Sequence, residues 1–239
     1  SDKISAGLNT AAIRLPSNEI ALALIKESKK PIAAPSANLS GKTSPTEDNH
    51  VIEDLMGKVD MIIDGGSTSI GLESTVVDMT ADVPMILRPG GITYEDIVSV
   101  LGNCDYDPAI IKSSDKIIPK SPGQKYRHYH PNADIILYKG NIDNIVRKIN
   151  EDYELLESEG KRAGIMSTVQ TNEYYGGKKT ICVGDRTKLL TISSNLFKDM
   201  REFDYRGIDI ILAESVDESG LGKAIMNRLT KASVKIIIV

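Results

Sequence analysis

The 239 residues are 41% hydrophobic and 26% charged, an ordinary balance for a globular chain and one that excludes disordered or fibrous classes. Apolar runs stop at six residues, as in Ile20 to Ile25, far short of the roughly 20 that a membrane span needs, so no membrane partner is expected. Lys plus Arg total 29 against 33 Asp plus Glu, and the net charge of −4 argues against a strongly basic nucleic-acid binder while leaving a local basic pocket open.

The first half reads as mixed α/β. Ser17, after Pro16, is placed to cap a helix whose apolar positions are Ile20, Leu22, Leu24 and Ile25, and Pro31 stops the run. Ile32 to Ala34 reads as a short buried strand. Thr46 is placed to cap a second helix with Val51, Ile52, Leu55 and Met56 inward and Gly57 at its end. Val59 to Ile63 reads as a strand closed by the turn Asp64-Gly65-Gly66, and Thr75 to Met79 and Pro84 to Leu87 as two more. Thr93 caps a third helix, with Asp96 in the capping-box position and Gly102 at its end.

Residues 103 to about 134 break the pattern with Ser113-Ser114-Asp115-Lys116, Pro119, Ser121-Pro122-Gly123 and Pro131, as in a linker. The run Tyr126-Arg127-His128-Tyr129-His130 is more than a spacer needs. Beyond it, strands and helices alternate. Asp134 to Leu137, Ala163 to Met166, Thr180 to Val183, Ile208 to Leu212 and Val234 to Val239 read as fully buried strands. Helical patterns run from Ile142 to Leu156, from about Thr187 to Phe203 and from Gly220 to Leu229. That alternation predicts a Rossmann-like parallel sheet with helices on both faces, without the glycine fingerprint of a dinucleotide site. Two cysteines, Cys104 and Cys182, cannot build a disulfide framework and point to a reducing cytoplasm. No signal peptide is read, and a start at Ser1-Asp2 without Met is expected of a fragment or a trimmed chain.

Four constellations could carry chemistry. In Ala34 to Gly41, Ser36 and Asn38 follow a predicted strand and could hold phosphate or ribose oxygens, or form a turn that satisfies its own backbone. In Gly71 to Asp78, Ser74 could touch a small substrate, whereas Thr75 suits a strand and Glu73 reads as a surface acid. In Leu87-Arg88-Pro89-Gly90-Gly91, a strand-end Arg beside bare backbone suits a phosphate, or joins a surface ion pair; Arg14 has the same strand-end look. In Ser121 to Pro131, Tyr126 and Arg127 suit a lid over an anion. His128 and His130 lack the companions of a metal site, so no metal is assigned. Tyr174 to Lys179 reads as a solvated loop, and Gly220-Leu221-Gly222-Lys223 lacks P-loop spacing. Neither a catalytic triad nor a nucleophilic Cys is legible.

In order, the motifs T-x-x-x-R-x-P (Thr10 to Pro16), P-S-A-N-x-S-G (Pro35 to Gly41), G-x-E-S-T-V-V-D (Gly71 to Asp78), L-R-P-G (Leu87 to Gly90) and S-P-G-x-x-x-x-H-Y-x-P (Ser121 to Pro131) resemble the YrdC-type threonylcarbamoyl-adenylate synthases. The resemblance is to their long form, and Gly220 to Leu229 resembles that family's last helix. Asn18 departs from the His frequent there, and His130 from a small residue. The family's Lys/Arg-rich nucleotide motif and threonine loop have no counterpart here. The resemblance therefore implies residues 1–112 as a YrdC-like α/β catalytic domain without its N-terminal part, 113–133 as linker or lid, and 134–239 as a small Rossmann-like domain. Such a chain is expected to be inactive alone.

The implied reaction joins L-threonine, bicarbonate and ATP into threonylcarbamoyl-AMP, with pyrophosphate and water released, feeding tRNA threonylcarbamoyladenosine modification through a downstream transferase machinery. The resemblance implies Thr10, Ser36, Asn38, Ser44, Arg88, Tyr126 and Arg127 for ATP, and Arg14, Ala34 and Ser74 for threonine. It implies ATP as substrate with Mg²⁺, no tightly bound cofactor, and no covalent nucleophile. Two alternatives are an RNA-binding module of the same fold, with direct RNA binding left open, and a nucleotide-binding domain of carbamoyltransferases.

Overall fold

The computed structural model describes residues 5, 8–111 and 130–239. The chain divides into two compact units, Ser1–Ser36 and Ala37–Val239.

The first unit carries one helix, α1 (Glu19–Ser28). Its cap is Asn18, one residue after the expected Ser17: the Asn18 side chain accepts from the Ala21 N–H at 3.0 Å. Glu19 in the first turn and Lys26 in the last both suit the helix dipole. The expected inward face is not buried, for Ile20, Leu22 and Leu24 are all exposed. No strand forms at 32–34.

The second unit opens with α2 (Asp48–Leu55). Thr46 does not cap it through its hydroxyl. Its N–H donates instead to Nδ1 of buried His50, an imidazole one turn into the helix. Burial and nearby Arg201 lower the His50 pKa, which keeps this nitrogen free to accept. Residues 59–63 form no strand either. An apolar run becomes a strand only when a ladder satisfies its backbone, and neither short run finds one among the described residues.

A small mixed sheet follows. Strand β1 (Val76–Asp78) pairs antiparallel with β2 (Met85–Arg88), and β2 pairs parallel with β3 (Asp105–Tyr106). Between β2 and β3 runs α3 (Tyr94–Leu101), with the predicted Thr93–Asp96 capping box and Gly102 at its end. A short helix, α4 (Pro108–Ile111), comes next. Ile86, Ile97 and Cys104 form the core of this layer, and Tyr94 stacks on Tyr106.

The remainder is the expected parallel-sheet domain: β4 (Asp134–Lys139), α5 (Ile142–Ser158), β5 (Ala163–Ser167), β6 (Thr180–Cys182), α6 (Leu189–Tyr205), β7 (Ile210–Glu214), α7 (Leu221–Ala232) and β8 (Ser233–Ile238). The strand order is β6-β5-β7-β4-β8, with every pairing parallel. One face packs on α6 and α7 through Leu196, Phe197, Met200, Ile225 and Leu229. The other packs on α5 through Ile145, Ile149 and Tyr153. Each fully buried aliphatic or aromatic side chain contributes roughly 1.5–3 kcal/mol, so these two layers hold the domain. Strand β8 is not of the fully buried type: it is an edge strand, and Val234, Ile236 and Ile238 face outward. Tyr175, expected in a solvated loop, is fully buried at the end of a 3₁₀ turn, Asn172–Tyr175.

Candidate functional site

The predicted site residues fall in different parts of the molecule. Thr10, Arg14, Ala34 and Ser36 belong to the first unit, where all four are exposed. Asn38, Ser44, Ser74 and Arg88 belong to the second unit. Tyr126 and Arg127 lie outside the described residues, as does most of the 113–133 linker. His130, at the described edge of that segment, places Nδ1 2.7 Å from the Pro131 carbonyl.

Within the second unit, Ser44, Ser74 and Arg88 are brought together around Glu73. The Ser44 hydroxyl donates to Glu73 Oε1 at 2.5 Å. Arg88, at the end of β2, donates from Nε to the Ser74 carbonyl at 3.0 Å. Glu73 Oε2 accepts from Arg228 Nε of α7 at 2.7 Å. Asn38 is engaged in its own turn, with Nδ2 donating to the carbonyls of Leu39 and Lys42.

Two glycines make this assembly possible. A Cβ on Gly90 would strike the backbone of Glu73, Ser74 and Thr75, so the turn after Arg88 lies directly on that segment. Gly71, at φ +75°, sits against the backbone of Ser193 and Ser194 in α6, where a side chain would both strain the backbone and collide. Leu72, between Gly71 and Glu73, packs into the α6–α7 core layer.

Glu73 is therefore not the surface acid its position suggested. Its side chain is 16% exposed and that of Arg228 is 0% exposed. Burial alone would raise the Glu73 carboxyl, but Arg228 and the Ser44 hydroxyl outweigh it and hold the pKa below the ordinary value. Lys231, one turn beyond Arg228 on α7, is drawn down to about 8 by burial and then by Arg228 and Arg88, with Glu73 opposing. Three cations and one carboxylate thus share a half-buried region lined by serine oxygens, a setting suited to an anionic or phosphorylated ligand. Sequence reasoning missed Glu73, Arg228 and Lys231 as members. Its available signal was the three-residue spacing that puts Arg228 and Lys231 on one helical face.

Two other polar centres are explained structurally. At the carboxyl ends of β5 and β7, where open α/β sheets bind ligands, buried Glu214 accepts from Arg186, Tyr175 and Thr168 at 2.6, 2.7 and 3.1 Å. Internal donors occupy both of its oxygens. On α2, buried Asp54 accepts from Arg201 of α6 at 2.8 Å and from Lys42 at 2.9 Å. Lys198 to Glu47 and Tyr205 to Glu53 extend this junction. A cavity of about 150 Å³ beside it is lined by Lys42, Glu53, His130, Asn132, Arg201 and Tyr205 among others, and by none of the described site residues predicted from sequence. No group of three or more His, Cys, Asp or Glu among the described residues is placed to hold a metal ion. No helix among them is long and apolar enough to cross a membrane.

A small mixed sheet whose hydroxyl-rich entry segment is keyed into a parallel-sheet domain makes this a two-module α/β protein. Residues 92–234 match the family described as threonylcarbamoyl-AMP synthase, C-terminal domain, and residues 1–90 match one described as telomere recombination. A threonylcarbamoyl-AMP synthase of Pyrococcus abyssi is 49% identical over 96% of this chain and 66% of its own length. One from Bacillus subtilis is 45% identical over 98% and 66%, and one from Schizosaccharomyces pombe 39% over 96% and 59%. A crystal structure of the Pyrococcus abyssi protein complexed with L-threonine superposes with a TM-score of 0.91 at 48% identity, covering 100% of this chain and 68% of that one. The chain belongs to the threonylcarbamoyl-AMP synthase family. It spans about two thirds of the length of the curated relatives it matches.

Proposed function

We propose that the chain serves the synthesis of threonylcarbamoyl-AMP from L-threonine, bicarbonate and ATP, an adenylyl transfer in which carboxylated threonine attacks the α-phosphate and pyrophosphate leaves. The observation that carries this reading is the gathering of Ser44, Ser74 and Arg88 around Glu73 with Arg228 and Lys231 close by. The relative complexed with L-threonine, 48% identical, supports the amino acid as one substrate. In this reading Thr10, Ser36, Asn38, Ser44 and Arg88, with Tyr126 and Arg127 of the linker, serve ATP. Arg14 pairs with the threonine carboxylate, the Ala34 backbone assists, and Ser74 faces threonine. The domains follow as 1–112, 113–133 and 134–239. Fixed cations stabilise charge developing on the phosphates, and Mg²⁺ travels with the nucleotide and shares that load. The product passes to the tRNA-modifying transferase. Two free cysteines support a reducing cytoplasm as the setting.

The test is a set of calorimetric titrations of the chain with AMP, L-threonine and threonylcarbamoyl-AMP. The last carries both halves and should bind at least ~10-fold more tightly than AMP, with the gain lost in Ser74→Ala and both nucleotides weakened together in Arg88→Ala. Equal affinity for AMP and threonylcarbamoyl-AMP in the parent would overturn the proposal.

A further inference from the structure

The segment that carries Ser74 is held from the parallel-sheet domain as well as from its own sheet. Gly71 lies on the α6 backbone, Leu72, partly buried, packs against the α6–α7 layer, and Glu73 is tied to Arg228 of α7 across 155 residues of sequence. Arg228 also donates from Nη1 to Asn227 Oδ1 at 2.9 Å, which braces the guanidinium on its helix.

We infer that Arg228 is a positioning residue for the nucleotide site: by anchoring Glu73 it fixes both the Ser44 hydroxyl and the Ser74 carbonyl that meets Arg88. The inference rests on the function proposed above and adds a consequence for specificity. A serine hydroxyl has one proton and two lone pairs. With Glu73 ionised, that proton is committed to Oε1, and Ser44 presents lone pairs alone to a ligand. It therefore recognises a donor on the nucleotide, a ribose hydroxyl or the exocyclic amine, and not a phosphate oxygen. Arg228 sustains this polarity. Without the guanidinium, a half-buried Glu73 would move toward its protonated form and could itself donate to Ser44, reversing the bond.

The experiment uses the 239-residue chain. Affinities for ATP, 2′-deoxy-ATP, 3′-deoxy-ATP and ITP are measured by calorimetry for the parent, Arg228→Met, Arg228→Lys, Ser44→Ala and the Arg228→Met/Ser44→Ala pair. Ligand-free hydrogen exchange is followed at residues 72–76 and in the β4–β8 sheet. Arg228→Met should weaken ATP about tenfold, Arg228→Lys less, and the double variant by clearly less than the sum of the two single losses, since part of each runs through Ser44. The parent should reject the analogue lacking the donor that Ser44 reads, and Arg228→Met should lose that discrimination. A deoxy analogue rejected by the parent identifies a ribose hydroxyl, and rejected ITP identifies the amine. Exchange at 72–76 should quicken in Arg228→Met while the β4–β8 sheet keeps its protection, which separates local positioning from global unfolding. Additive losses in the double variant, or discrimination intact in Arg228→Met, would overturn the inference. If the parent binds no nucleotide, the function proposed above fails. The exchange then decides the positioning role: quickening at 72–76 sustains it and unchanged rates refute it.

Discussion

Removing Arg201 tests how the first-module residues of the second unit are fixed to the parallel sheet. Its Nη2 donates to Asp54 Oδ2 and to the Thr43 carbonyl, each at 2.8 Å, from a side chain 5% exposed. Asp54 is 0% exposed, and its other strong partner is Lys42 at 2.9 Å, whose own side chain is 47% exposed. Arg201→Met keeps most of the bulk but leaves a buried carboxylate with one wet ammonium and a long 3.4 Å bond from the Leu39 N–H, and takes the guanidinium from the Thr43 carbonyl. Breaking one side of a buried pair costs about 3–5 kcal/mol. That is a large share of the 5–15 kcal/mol of an ordinary domain. The loss should appear in urea unfolding at pH 7 and, by hydrogen exchange, at residues 39–55 before the β4–β8 sheet opens. The pH dependence has a definite sign. Burial would raise the Asp54 carboxyl, but Arg201 and Lys42 hold it below its ordinary value. Its contribution is therefore full above the unfolded pKa of about 4 and disappears as pH falls through the lowered folded value. In Arg201→Met the folded pKa rises, so the advantage is already gone at higher pH. Asp54→Leu/Arg201→Met, which removes both charges, should recover much of the loss. A single-variant cost under about 1 kcal/mol, or a double variant worse than the single, would refute the reasoning.

Gly90→Ala should cost about 1–3 kcal/mol in urea unfolding, because the new methyl meets the backbone of Glu73, Ser74 and Thr75; a change under about 0.5 kcal/mol would show that the contact yields. Lys231, with its pKa at about 8, is charged below that pH, so pyrophosphate affinity should fall between pH 7 and 9, and Lys231→Met should flatten the profile; an identical slope in the variant would remove Lys231 from the anion site. Asp199 on α6 is raised to about 7, chiefly by burial. Its contribution to stability is full below about pH 4 and lost as pH rises through 7, so Asp199→Asn should gain about 1–2 kcal/mol at pH 8, and equal unfolding midpoints at that pH would count against it.

The sequence made some of this architecture readable and hid the rest for physical reasons. The Thr93–Asp96 box and the strand–helix alternation after residue 134 are local signals, and both formed where expected. The short runs at 32–34 and 59–63 have suitable composition, but a ladder is a property of two segments, and composition names only one. The helix cap moved by one residue, from Ser17 to Asn18, because both side chains can accept the same free N–H groups. Ser74 and Arg88 stood in motifs and Ser44 was implied by the family resemblance, whereas Glu73 looked like a surface acid because its partner lies 155 residues away. Arg201, 147 residues from Asp54, was hidden in the same way. An ion pair of that span leaves no periodicity or spacing to read; it exists only once the helices are packed.

The packing of Leu72 against the α6–α7 layer bears on how such a chain can be shortened or recombined. A gene that kept the first module alone would inherit a leucine with nothing to cover it and an acid at 73 deprived of its base. A hybrid that joined this first module to a foreign second one would meet the same mismatch unless residues 71–73 travelled with α6 and α7. The unit of inheritance is therefore the tripeptide together with two helices more than a hundred residues downstream, and any crossover between them must preserve both.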